Sequence, residues 1–317
     1  MIAGELLLAC MLDVVLGDPR WLPHPVRLMG RVITWYEGCV RRAAHGPSGE
    51  QAAGIALALG LPSLTYAAGW LAIELAGRAH VLLAHVVWVV LAWTTIAARD
   101  LSDHALAVQL AMEQGSLERA RQALAKIVGR DTDQLSEPEV VRATVETLAE
   151  SASDGVIAPL FFLSLGGPPA ALAYKAINTL DSLVGHLEPG YRQLGWASAR
   201  LDDVVNWIPA RLTALLLVVA AGLTTRRVAP MRRAWRVLHR DGHKHPSPNS
   251  GWPESAMAGA LGVQLGGRNV YDGLPEDRPL LGDAGERLAR IHLHRALTLM
   301  WMTSGLGVLL AVGWLVR

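Results

Sequence analysis

The feature that most limits this chain is a set of apolar runs, at about 2–17, 52–76, 79–98, 155–175, 204–225 and 296–316. A helix needs roughly 20 apolar residues to cross the hydrocarbon core of a bilayer. The runs at 79–98 and 296–316 reach that length cleanly, whereas the first is short and carries Glu5 and Asp13. Backbone polar groups inside a bilayer find no water, so such runs fold as helices. The chain is expected to be all-α: a polytopic integral membrane protein with about 4–6 transmembrane helices and helical cytoplasmic loops, forming one domain over residues 1–317. A shorter apolar piece, Ala256 to Gly267, is expected to be re-entrant or interfacial.

Composition agrees with that frame. Only 18% of the residues are charged, against about 25% in soluble proteins. Eleven Trp against two Phe suit anchoring at the membrane interface. Cys10 and Cys39 are too few for a disulfide scaffold or a Cys-rich metal site. Leu7-Leu8-Ala9-Cys10 faintly resembles a lipoprotein cleavage box. No basic residue precedes it, however, so the N-terminal run is expected to stay as a first span. The net charge of +1 gives no pull toward nucleic acid, and no nucleic-acid partner is expected.

The charge distribution is more informative. If all six runs cross, loops 18–51, 99–154 and 226–295 share one side and hold five, six and twelve of the 29 Lys and Arg. The positive-inside rule places them in the cytoplasm of a bacterial inner membrane. Polar segment 176–203 would then face outward. Gly166-Gly167-Pro168-Pro169 interrupts the run at 155–175. A proline-broken helix at membrane depth is tolerated beside protein or a water-filled cavity. The alternative is thus a pair of half-helices returning segment 176–203 to the cytoplasmic side. In loop 99–154, Ser116 opens an amphipathic helix that Gly129 ends, and Ser136 with Glu139 has capping-box spacing.

Four polar constellations border these runs. Gly17 to Arg27 is held extended by three prolines and presents Asp18, Arg20, His24 and Arg27; its Arg forks suit phosphate or carboxylate, but on this stretch alone the favoured reading is a rigid juxtamembrane turn touching lipid headgroups. Glu146, Glu150 and Asp154 stand at i, i+4 and i+8 on one helix face, where like charges call for a cation. Mg²⁺ held with nucleotide phosphates would supply it; a solvated face paired with Arg is the competing reading. Lys175, Asn178, Asp181, Arg200, Asp202, Asp203, Asn206 and Arg211 crowd the edges of apolar runs, as a site or as internal salt bridges. Arg240 to Glu254 is a stiff loop whose His245, Ser247, Asn249 and Glu254 suit phosphates. Its histidines lack the cysteines that would favour zinc. No Walker loop is present.

In this order the segments resemble the adenosylcobinamide-phosphate synthase (CobD/CbiB) family of cobalamin biosynthesis. The resemblance rests on Gly17-Asp18-Pro19-Arg20 with Pro23-His24-Pro25-Val26, Gly129 to Thr132, Glu146 to Gly155, Tyr174-Lys175 to Asp181-Ser182, Gly195 to Asp203, and His245 to Glu254. It departs at Ser151, where the family pattern commonly has Asn. The resemblance implies ATP-dependent joining of adenosylcobyric acid to (R)-1-amino-2-propanol O-phosphate, or a related amino alcohol phosphate. The corrinoid is then substrate rather than cofactor, and ATP and Mg²⁺ are implied. Glu146, Glu150 and Asp154 would hold Mg²⁺ or take the amine proton, and Asp202 and Asp203 a second metal or the amine. Lys175, Arg200 and Arg211 would face phosphate or the activated carboxylate. Arg20, His24, Arg27, His245, Ser247 and Asn249 would bind ATP or the amino alcohol phosphate, at a cytoplasmic site. Membrane lipid and later enzymes of the pathway are the other expected partners. A transporter or a non-catalytic sensor of the same superfamily is the alternative; inverted repeats, which would favour the transporter, are not evident.

Overall fold

In the computed structural model, residues 2–19, 21, 23–43, 46–185 and 190–317 are described. The helices, in chain order, begin with α1 (Ile2–Leu16), α2 (Pro25–Ala43), α3 (Gly46–Ala79) and α4 (Val81–Trp93). They continue with α5 (Ala98–Glu113), α6 (Leu117–Leu124) and α7 (Glu137–Ala152), then a π turn (Ser153–Ile157) and α8 (Ala158–Val184). After α9 (Trp196–Val205), α10 (Trp207–Thr225), α11 (Val228–Asp241) and α12 (Gly251–Leu261) come strands β1 (Gln264–Tyr271) and β2 (Leu274–Gly282), and α13 (Ile291–Leu315) closes the chain. Two compact units result, a division the single expected domain did not contain. One comprises Met1–Ala97, Ala158–Asn206 and Leu310–Arg317, the other Ala98–Ile157 and Trp207–Leu309.

The protein is a helical, multi-pass membrane protein, and among the described residues five helical stretches are long and apolar enough to cross a bilayer: 46–79, 81–113, 137–184, 207–225 and 291–315. The run at 2–17 is not among them. Its 15-residue helix extends only about 22 Å, less than the roughly 30 Å hydrocarbon core. The polar ends of α1 are absorbed within the first unit. Glu5 pairs with His85 of α4, and the Trp93 indole donates to the Gly17 carbonyl at 3.1 Å.

The stretch 137–184 is not one straight rod. Within α8, Gly166 and Gly167 leave helical geometry, Gly167 with φ 66° and ψ −163°, a region essentially reserved for glycine. Pro168 and Pro169 then open a second half-helix, where a missing N–H costs nothing. Phe162 stacks on Tyr174 with ring centroids 5.0 Å apart. Twelve residues along a straight helix span about 18 Å. The segment is therefore a helical hairpin, the folded-back form of the two arrangements considered. Its second half packs Leu172, Ala176, Leu180 and Val184 against Met29 and Ile33 of α2 and Leu57 and Leu61 of α3.

The second unit buries α12 among α7, α10, α11 and the strands β1 and β2. A Cβ on Gly259 would meet the Ala234 Cα at 2.6 Å, so small residues bring α11 and α12 into backbone contact. This overturns the re-entrant reading of 256–267: α12 is a core helix that ends at the left-handed Gly262. The chain then runs straight into β1, which pairs antiparallel with β2. Asp272 and Gly273, both with positive φ, make the two-residue turn that an Asp-Gly pair favours. The capping box forms as expected, with the Ser136 N–H donating to Glu139 Oε2 at 2.7 Å. The helix opened by Ser116 ends at Leu124, before Gly129.

With Cys10 and Cys39 replaced by serine, cysteines at 162 and 174 should be joined in membranes by a short bifunctional thiol reagent. If the pair stays unlinked while the chain is folded, α8 is continuous and the hairpin is wrong.

Candidate active site

Glu146 and Glu150 lie one helical turn apart on α7 and line a cavity of about 30 Å³ in the second unit, with Arg130, His245, Glu254 and Arg278. Glu146 is buried. It accepts from Arg130 Nη2 at 2.5 Å and from the Gly266 N–H at 2.8 Å. Arg142, one turn earlier, donates to the Gly266 carbonyl, to the Arg268 carbonyl at 2.8 Å and to Asn269 Oδ1 at 3.0 Å. Arg130 Nη1 shares Asn269 Oδ1 at 2.9 Å. The bulge between Leu265 and Gly267 turns the Gly266 amide toward Glu146. Glu150 stands more open and accepts from Ser250 Oγ at 2.7 Å.

The 242–250 loop is tied at both ends. Asp241, fully buried, accepts from Arg240, Lys244 and the Gly282 N–H at 2.6–2.8 Å. Burial opposes its ionisation, but these donors win and hold the carboxyl well below its usual range. Within the loop, Ser247 Oγ accepts from the N–H groups of Asn249 and Ser250, both at 3.2 Å. Arg211 lies between Trp207 and Trp252, 4.2 and 4.6 Å from their ring centroids, and reaches Asn249 Oδ1 at 3.4 Å.

Two groups at the cavity are shifted away from their charged forms. Burial, then the charges of Glu146 and Glu150, push the Glu254 carboxyl far above the usual carboxylate range. Burial, then the Arg278 guanidinium, push His245 below the usual imidazole range.

The anticipated row of three carboxylates is broken. The π turn inserts an extra residue per turn directly after α7. Asp154 therefore leaves the face of Glu146 and Glu150, and it does not line the cavity. Among the described residues no three His, Cys, Asp or Glu side chains are grouped to hold a metal. Arg20 lies outside the described residues.

The remaining expected residues sit in the first unit. Tyr174 Oη donates to Asn206 Oδ1, and Asn206 Nδ2 to Asp202 Oδ2, both at 2.9 Å. Lys175 Nζ donates to Asn178 Oδ1 at 3.2 Å, one turn before Asp181 on α8. Asp203 pairs with Arg200 at 3.7 Å; burial raises its carboxyl and Arg200 opposes the rise. His24 stands 3.4 Å from Asp18, and Arg27 donates to the Pro19 carbonyl at 3.3 Å.

Sequence reading gave no site role to Arg130, Arg142, Asp241 or Arg278. Arg130 lay in a quoted motif. Arg278 follows the Asp272-Gly273 turn, a hairpin signal that would have placed it on a strand.

The chain matches the family described as CobD/CbiB protein over residues 6–300. It belongs to the CobD/CbiB family. It is 50% identical over 310 residues to the cobalamin biosynthesis protein CobD of Geobacter metallireducens, covering 98% of this chain and 96% of that one. It is 46% identical to the protein of the same name from Klebsiella pneumoniae, covering 97% of each. It is 44% identical to the cobalamin biosynthesis protein CbiB of Salmonella typhimurium, covering 96% of this chain and 95% of that one. No solved structure matches the chain. The CobD/CbiB match spans the residues that build the cavity.

Asp241→Asn should weaken the fold at neutral pH by ~2 kcal/mol, the scale of a lost charged hydrogen bond. The folded-state carboxyl is depressed, so its contribution is present above the unfolded value near 3.9 and is lost as pH falls through the folded value. Thermal unfolding in detergent should show the gap between wild type and variant closing below about pH 4. An equal gap at every pH would contradict this account.

Proposed function

We propose that this protein acts in cobalamin biosynthesis as an ATP-dependent acid–amine ligase. It joins a free propionate of adenosylcobyric acid to the amine of (R)-1-amino-2-propanol O-phosphate, or a related amino alcohol phosphate. The names of its CobD and CbiB relatives support the pathway. The observation that carries the chemistry is one cavity where carboxyl groups, guanidinium groups and an imidazole meet, with the Glu254 carboxyl pushed up by burial.

A carboxylate does not react with an amine unaided, because hydroxide is a poor leaving group. In the proposed route a propionate oxygen attacks the γ-phosphorus of ATP and ADP departs. The amine nitrogen then attacks the acyl carbon, the C–N bond forms and inorganic phosphate leaves. The proton lost from nitrogen needs an acceptor. Glu146 is saturated by Arg130 and the Gly266 amide, which leaves Glu150 for that role. Mg²⁺ fits as a cation carried in on substrate phosphates and held through one or two carboxylates. Glu150 and Glu254 would hold it, and it would neutralise phosphate charge. Ser247, Asn249 and Arg211 shape the loop beside the cavity.

Lys175, Asn178, Arg200, Asp202, Asp203 and Asn206 are assigned to substrate contact from their chemistry and from the family resemblance. We place the protein in the bacterial inner membrane with this chemistry on the cytoplasmic side, where the basic loops and ATP belong.

Membranes containing the chain, given adenosylcobyric acid, Mg-ATP and aminopropanol phosphate, should yield the amide product by mass analysis of the corrinoid, and only with ATP. Glu150→Gln should lower turnover about 100-fold, the low end for loss of a general base, and Asp203→Asn, which loses a charged substrate contact, should lower it as well. Turnover within a few-fold of wild type in both variants would remove these assignments.

A further inference from the structure

Arg278 and His245 meet in a way that leaves a place for a third group. The imidazole side chain of His245 is 6% exposed. Its Nδ1 lies 3.0 Å from the Ser247 backbone nitrogen, which is always a donor, so Nδ1 must accept. A neutral imidazole has one N–H, and here it must sit on Nε2. Yet Nε2 faces Arg278 Nη1 at 3.2 Å, and a guanidinium has donors and no acceptor. Two N–H groups are thus directed at each other inside a cavity wall.

Among the described residues no acceptor takes either N–H: Glu150, whose charge acts on both groups, accepts from Ser250 Oγ. Glu254 Oε1 lies 3.9 Å from Nε2, beyond hydrogen-bond reach. Glu146 is taken up by Arg130 and the Gly266 amide. Arg278 spends its Nε on Glu276 at 3.2 Å, and its guanidinium carbon lies 5.5 Å from the centroid of the Tyr271 ring. β2, Tyr271 and Glu276 therefore fix the guanidinium while its Nη1 remains directed at another donor. One oxygen with lone pairs, seated against both N–H groups, would satisfy both. A fixed guanidinium fork is also the side chain best matched to phosphate and carboxylate.

We propose that Arg278 Nη1 and His245 Nε2 form an oxyanion subsite, taking one oxygen of a substrate phosphate or carboxylate. It rests on the ligase reading only for the choice of substrate. The tautomer and the opposed donors stand without it. Arg278 is then a binding residue contributed by the hairpin, and Ser247 is a positioning residue that sets the tautomer of His245. The subsite has a clear discriminating power: an ester or amide in place of the anion loses the charge that Arg278 is held to meet.

The test uses the full chain in detergent micelles, with three probes titrated calorimetrically: the Mg²⁺ complex of the β,γ-imido analogue of ATP, aminopropanol phosphate, and adenosylcobyric acid. Arg278→Gln should raise Kd at least 10-fold for one probe, leave the other two within two-fold, and keep the thermal midpoint. Arg278→Lys should recover part of the loss. The probe affected names the oxyanion's source. A second measurement needs no substitution: that probe should slow phenylglyoxal modification of Arg278 in the wild type, read by peptide mass. The subsite is overturned if no probe binds, if every probe binds Arg278→Gln like wild type, or if no probe protects Arg278. Arg278-dependent binding without amide product in the wild type would remove the ligase reading and leave the subsite. Product formation with Arg278-independent binding would do the reverse.

Discussion

The second unit is organised around one buried charge. Glu146 is an ionic acceptor on a helix face that is otherwise core, with Val145 and Ala149 fully buried beside it. Arg130, the Gly266 amide and, at 4.0 Å, Arg142 surround it. Taking such a carboxylate out of water is costly, and deleting one partner of a buried pair leaves the other uncompensated, at about 3–5 kcal/mol. Everything needed to hold Glu146 also builds the cavity. Arg130 fixes the segment before α7, Arg142 fixes the β1 bulge, and the Asp272-Gly273 turn brings β2 back so that Arg278 reaches His245. A single electrostatic requirement thus ties a helix, a loop and a hairpin into one wall.

Much of this was legible in the residues, and the boundary between what was and was not is physical. Length and hydropathy are additive along a chain, so the apolar runs, the helical class and the Ser136 cap were all readable. So was the break at Gly166-Gly167, because glycine and proline act locally. The π turn after Ala152 was not readable. It is a registry shift of one residue, set by packing, and no residue type between Ser153 and Ile157 announces it. Asp154 falls within that shift and does not line the cavity.

The hairpin is a different case. Asp272-Gly273 is a plain local turn signal, but it sits in the long basic loop 226–295, where no run of apolar residues marks the flanking strands. The meaning of Arg278 is wholly tertiary: nothing in Pro-Glu-Asp-Arg-Pro suggests a guanidinium facing an imidazole 33 residues away. Residues chosen for chemistry in the 245–254 segment did converge, because loop stiffness and the Asp241 anchor are local properties too.

The upward shift of the Glu254 carboxyl has a consequence of its own. Two guanidinium groups, those of Arg130 and Arg278, line the cavity with Glu146 and Glu150, and burial disfavours a third carboxylate at Glu254. On the proposed reading, a cation settling beside it would favour the ionised carboxyl and release its proton to solvent. Acidity would then compete with the incoming ion, and affinity would weaken as protons become plentiful. The cavity would behave as a small ion exchanger.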